Sequence, residues 1–119
     1  MSREDLQKKV DLAFLSAFYG GLLTEKQRRV LFLHCEEDLS LAEIAEDVGI
    51  TRQAVHDTIQ RASTKLYEME HSLGVAARFR RMETGLEKAL EALKGRQTDK
   101  AEQLLTELLA QYQEENNGI

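Results

Sequence analysis

The segment from Ser40 to Leu66, SLAEIAEDVGITRQAVHDTIQRASTKL, constrains the fold more than any other part of this chain. Ser40 is followed three positions later by Glu43, the sign of a capping box at a helix start, and Leu39 and Ile44 stand at the flanking staple positions. The helix this opens is short, Leu41 to Asp47, and ends in a turn made by Val48, Gly49 and Ile50. Gly49 suits a left-handed backbone that costs other residues about 1 kcal/mol or more. Thr51 then caps a second helix. Its Ala54, Val55, Ile59, Ala62 and Leu66 fall on one face, expected to pack on Leu41, Ile44, Ala45 and Val48. Two capped helices joined by a glycine turn at this spacing make a helix-turn-helix, which places its second helix in the DNA major groove.

The remaining segments read as helices too. There is no proline among the 119 residues, which favours long helices. A first helix, Asp5 to Phe18, carries so broad an apolar stripe that burial against two neighbours or a second subunit is expected. Gly20 and Gly21 are expected to stop it through a positive-φ cap. Thr24 and Gln27 form a second capping box, leading into Val30, Leu31, Phe32 and Leu33. A fifth helix, Arg78 to Lys94, has a seam of Phe79, Met82, Leu86, Ala89, Leu90 and Leu93, with Gly85 marking a close contact. Thr98 or Asp99 is expected to cap a last helix bearing Leu104, Leu105, Leu108, Leu109 and Tyr112, and the terminal EENNG is expected to fray. The expectation is an all-α chain: a wingless, winged-helix-like helix-turn-helix domain over residues 1–73, then a helical hairpin over 74–119, packed on the first part or on a partner subunit.

Charge and composition narrow the function. The net charge is -5, which argues against a strong nonspecific nucleic-acid binder but leaves room for a specific one with a small basic face. Such a face exists: residues 51–65 hold Arg52, Arg61 and Lys65 against Asp57 alone, whereas 36–47 hold six acids and no base. This separation fits one motif helix facing phosphates and the other turned away. The lone Cys35 excludes an internal disulfide, and there is no long apolar run and no signal-like start, so a cytoplasmic protein without membrane insertion is expected. An enzyme is not expected. His34, His56 and His71 lack ligand spacing, Cys35 beside His34 points away from it, and no phosphate loop, HExxH or nucleophile elbow is present. No cofactor and no metal are implied.

The candidate reading residues follow from chemistry. Thr51 can offer its hydroxyl to a phosphate beside the free amides of a helix start. Gln53 can bridge adenine N6 and N7, Arg52 can bridge guanine O6 and N7, and His56 lies one turn on. Gln60, Arg61, Lys65 and either Arg28 or Arg29 suit backbone contacts. DNA is the expected partner, with RNA as the alternative; the competing reading is a scaffold whose polar face is merely solvated. The broad apolar stripes of the first helix and the C-terminal seam also point to a homodimer.

The stretch TEKQRRVLFLHCEEDLSLAEIAEDVGITRQAVHDTIQRASTKL resembles the fourth region of bacterial sigma factors, which reads the promoter -35 element. Together with the start LQKKVDLAFLSAFYGGLLTEKQR, the chain to about Leu73 is similar to the YlxM family of small helix-turn-helix-like proteins of Gram-positive bacteria. The sigma-like pattern implies that Thr51, Arg52, Gln53 and His56 read bases while Gln60 and Arg61 touch the backbone. The YlxM resemblance implies a role in, or regulation of, the signal recognition particle pathway, with the particle's GTPase as a partner. From it comes the rival reading, a non-enzymatic adaptor that binds this GTPase and keeps the helix-turn-helix only as scaffold.

Overall fold

A computed structural model describes residues 2–117. Among them run six α-helices: α1 (Arg3–Tyr19), α2 (Glu25–Cys35), α3 (Leu41–Val48), α4 (Arg52–Leu73), α5 (Val75–Lys94) and α6 (Thr98–Asn117). A 3-10 turn, Gly20–Leu22, follows α1. No strand occurs among the described residues, so the fold is all-α as expected. Among the described residues no helix is long and apolar enough to cross a membrane.

Helix starts lie where hydroxyl residues accept backbone amides. Ser2 Oγ accepts from Asp5 N–H, and Thr24 and Ser40 each complete a reciprocal capping box, with Gln27 and Glu43. Thr51 Oγ1 accepts from Ala54 N–H at 3.0 Å. The helix ends are less regular. Gly49 and Gly74 take the left-handed conformation, with φ of 80° and 64°. Gly20 does not: its φ is -57°, and the chain tightens into the 3-10 turn instead of reversing hand. A Cβ at position 20 would stand 3.0 Å from Ser16 Oγ, so a side chain there would require that hydroxyl to give way. Asp38 and Arg96, both non-glycine, hold positive φ. Helix α5 starts at Val75 rather than Arg78, and Thr98 and Asp99 lie inside α6, whose Ala101 N–H bonds to the Gln97 carbonyl. The EENN segment is helical instead of frayed; Gly118 lies outside the described residues.

Contacts divide the chain into two compact units, Met1–Ala76 and Ala77–Ile119. The first has two apolar clusters. One joins Leu12, Leu15 and Tyr19 of α1 to Leu31 of α2 and to Ala62 and Leu66 of α4. The other joins Val30 and Leu33 of α2 to Ile44 and Ala45 of α3 and Val55 of α4, with Leu39 and Ile50 against it. The single face expected on α4 is thus shared: Val55 packs on α3, whereas Ala62 and Leu66 pack on α1, beyond the reach of the short α3. Ile59 touches both clusters. Only part of the broad α1 stripe is covered, since Leu6 and Val10 stay exposed.

Tyr19 fixes the end of this unit. Its hydroxyl donates to Glu70 Oε1 at 2.6 Å and accepts from Val75 N–H at 3.1 Å, while Ala76 N–H donates to the same carboxylate oxygen at 3.0 Å. Two side chains thereby satisfy amides in the first turn of α5. Burial, reinforced by the Glu70 carboxylate, raises the Tyr19 pKa above its ordinary value.

In the second unit α5 and α6 form an antiparallel hairpin. Gly85 lies so near α6 that a Cβ on it would stand 2.8 Å from Leu108 Cδ1, and Arg81 pairs with Glu115 farther along. The buried residues here are Ala89, Ala92 and Ala101. Of the expected seam, Leu86, Leu90 and Leu93 remain about half exposed, as do Leu105, Leu109 and Tyr112 on α6.

Candidate nucleic-acid interface

The helix-turn-helix is built by α3, the Gly49 turn and the first turns of α4. Gly49 N–H and Ile50 N–H both bond to the Ala45 carbonyl, at 2.9 and 3.1 Å, which closes α3 and turns the chain toward Thr51. With Ile44 and Val55 fully buried at the crossing, the opposite face of α4 is directed outward. Thr51, Arg52, Gln53, His56, Asp57, Gln60 and Arg61 are all exposed along it. The first turn of α4 contains no acid, so the partial positive charge of the helix start is uncompensated by a side chain. The Thr51 hydroxyl accepts from Ala54 N–H and keeps its own hydrogen for an outside acceptor.

The sequence-based set divides in two. Arg52 and Arg61 engage no carboxylate among the described residues, whereas Gln53 Nε2 donates to Asp57 Oδ1 at 3.0 Å. The same Oδ1 lies 3.7 Å from His56 Nδ1. The three cations expected to reach phosphates from outside this cluster are placed differently. Lys65 Nζ donates to the Leu22 carbonyl at 2.7 Å, which ties α4 to the 3-10 turn. Arg29 pairs with Asp47 of α3 at 2.8 Å. The Arg28 stem runs beside Gly20.

Two features were missed at the level of sequence. Asp57 counted only as one acid against three bases, yet it accepts a hydrogen bond from Gln53, one of the candidate reading residues. A groove of about 1300 Å³ also runs between α1 and α4, with Lys8, Lys9, His34, Gln60, Thr64 and His71 among its walls. Helical spacing places Lys8 and Lys9 on α1, but nothing local reveals that α4 runs opposite them. Lys9 Nζ is bonded to Asp38 Oδ1 at 2.6 Å, and this contact holds the Asp38 carboxyl below its ordinary pKa. His34 Nδ1 is buried without a hydrogen-bond partner, and burial lowers the pKa of the ring. Cys35 is half-buried, and burial pushes its thiol up to about 11, which keeps it protonated near neutral pH. Among the described residues no group of three or more His, Cys, Asp or Glu side chains is placed to hold a metal ion.

Comparison with known proteins agrees with the helix-turn-helix. Residues 6–108 match the UPF0122 family, described as "Putative helix-turn-helix protein, YlxM / p13 like". A UPF0122 protein of Symbiobacterium thermophilum is 40% identical over 108 residues, covering 91% of this chain and 98% of the relative. One from Halalkalibacterium halodurans is 38% identical over 104 residues, 87% of this chain and 95% of the relative. One from Desulforamulus reducens is 42% identical over 87 residues, 73% of this chain and 74% of the relative. The match runs through α1 and the helix-turn-helix and into α6, and the chain belongs to the UPF0122 family of YlxM/p13-like helix-turn-helix proteins.

Proposed function

We propose that this protein is a cytoplasmic regulator that binds duplex DNA through the first turns of α4, without catalysis and without a cofactor. The observation that carries this reading is the exposed cluster of Arg52, Gln53, His56, Gln60 and Arg61 beside a capped helix start with no acid in its first turn. Arg and Gln are the residues that pair bidentately with guanine and adenine edges. Thr51 and the α4 amides supply phosphate contacts, joined by Arg61. Lys65, Arg28 and Arg29 are secondary: the first and last must leave intramolecular partners before they meet a phosphate. The acidic net charge makes the interaction selective rather than general.

The test is recovery and sequencing of nucleic acid bound to the full chain in lysate, beside the R52A/Q53A/H56A variant. All three side chains are exposed, so the variant is expected to fold. A discrete DNA site, lost in the variant, is the expected result; equal recovery by both proteins would sink the proposal. Enrichment of the signal recognition particle RNA would instead move the function to protein targeting.

The exposed leucines of the α5–α6 hairpin favour a protein contact as well. We assign this face to a second copy of the chain, giving a homodimer whose two reading helices address paired half-sites. The adaptor reading rests on the same face: were it free in solution, binding to the signal recognition particle GTPase at physiological salt would be its test.

A further inference from the structure

Asp57 stands within the reading face of α4, an acid placed where phosphates would approach. Its side chain is 55% exposed, and its Oδ1 accepts from Gln53 Nε2 at 3.0 Å and lies 3.7 Å from His56 Nδ1. Arg61, one turn farther along, makes no ion pair with it among the described residues. The carboxylate thus pairs with no arginine among the described residues, and its hydrogen bond goes to the Gln53 amide.

A glutamine reads adenine only when its oxygen accepts from N6 and its nitrogen donates to N7. On an open helix surface the amide can present either end. A carboxylate accepts and does not donate, so it bonds only to the nitrogen end of the amide. The contact to Asp57 thus sets which end of Gln53 points along the helix. One Nε2 hydrogen and the Oε1 lone pairs remain for a base edge. It also orders a rotamer-rich side chain before the nucleic acid arrives, which lowers the entropy lost on binding. The same negative charge repels phosphates and so weakens attachment to any sequence that offers no matching base.

We propose that Asp57 is a positioning residue for base reading: it holds the Gln53 amide in one orientation and so makes the chain discriminate adenine at one position of its site, while weakening general attraction to the phosphate backbone. The proposal rests on the nucleic-acid reading of α4.

The test is selection from a randomised duplex DNA library by the full chain, comparing wild type with Q53A, D57A and D57N. Competition against unselected duplex follows at two salt concentrations. Wild type is expected to enrich a motif with adenine at one position, and Q53A to lose that preference by roughly tenfold. D57A is expected to lose the same preference while binding unselected duplex several-fold more tightly, with the difference shrinking at high salt. D57N, whose amide can accept from Gln53 Nε2 or donate to Gln53 Oε1, is expected to lose part of the preference and to share the tighter general binding. A D57A protein that retains the full adenine preference overturns the proposal, and so does a motif indifferent to Q53A. Failure of wild type to enrich any sequence overturns the reading of α4 itself, and the proposal with it, so the two failures are distinguishable.

Discussion

His34 shows how one buried nitrogen can set a pH response. Its Nδ1 is enclosed without a partner, and burial lowers the pKa of the ring below 6.5; Lys9 pushes in the same direction and Asp38 opposes it. The unfolded chain therefore takes up a proton at His34 more readily than the folded one. This contribution to stability is fully present above pH 6.5 and is lost as the pH falls through the lowered pKa. Denaturant midpoints are expected to fall between pH 7 and pH 5, and H34F is expected to flatten part of that slope whatever it does to the level. An unchanged slope in H34F would show that other groups carry the response. None of this was legible from the sequence, where His34 was one of three scattered histidines. The Thr24, Ser40 and Thr51 caps were legible because each is closed by residues three positions apart, as in Ser40 with Glu43. The non-glycine left-handed residues Asp38 and Arg96 carried no such local mark.

Among the elements, the turn between α3 and α4 has the sharpest local requirement. Gly49 holds φ at 80°, and a Cβ built on it would meet nothing within 4 Å. A side chain there is opposed by backbone conformation alone. G49A is expected to destabilise the protein by about 1–2 kcal/mol, seen as a lower thermal midpoint, with G49N losing less because asparagine tolerates this region better. A G49A midpoint equal to wild type would contradict the account. At this scale the two motif helices were readable, since caps, glycine and apolar spacing all agreed. What the apolar residues pack against was less so. Spacing alone put Ala54 through Leu66 on one partner, but α3 is only eight residues long and α1 takes the far half. In the hairpin the periodic leucines were expected at the contact. Gly85 does mark the close contact, as expected, and with the alanines it lets the helices approach so closely that several leucines are left outside.

For the whole molecule, those leucines raise the question of assembly. Leu86, Leu90, Leu93, Leu105, Leu109 and Tyr112 are each 41–57% exposed, a larger run of apolar side chains than a monomeric protein ordinarily leaves in water. Sedimentation equilibrium at micromolar concentration is expected to give twice the 13.6 kDa mass of one chain. L90E/L109E is expected to return the mass to one chain with little loss of helicity. A single-chain mass for the unaltered protein would overturn the dimer. The proposed reading face could be nominated from sequence because its residues lie on consecutive turns of one helix. Its inner organisation could not, because the Gln53–Asp57 bond is a choice of side-chain rotamer.

The bond between Tyr19 and Glu70 bears on the order in which a ribosome releases this chain. Tyr19 is made early and Glu70 some fifty residues later, and the amides they hold, Val75 and Ala76, follow at once. The helix that begins the hairpin thus receives its fastening only after the first and fourth helices have met.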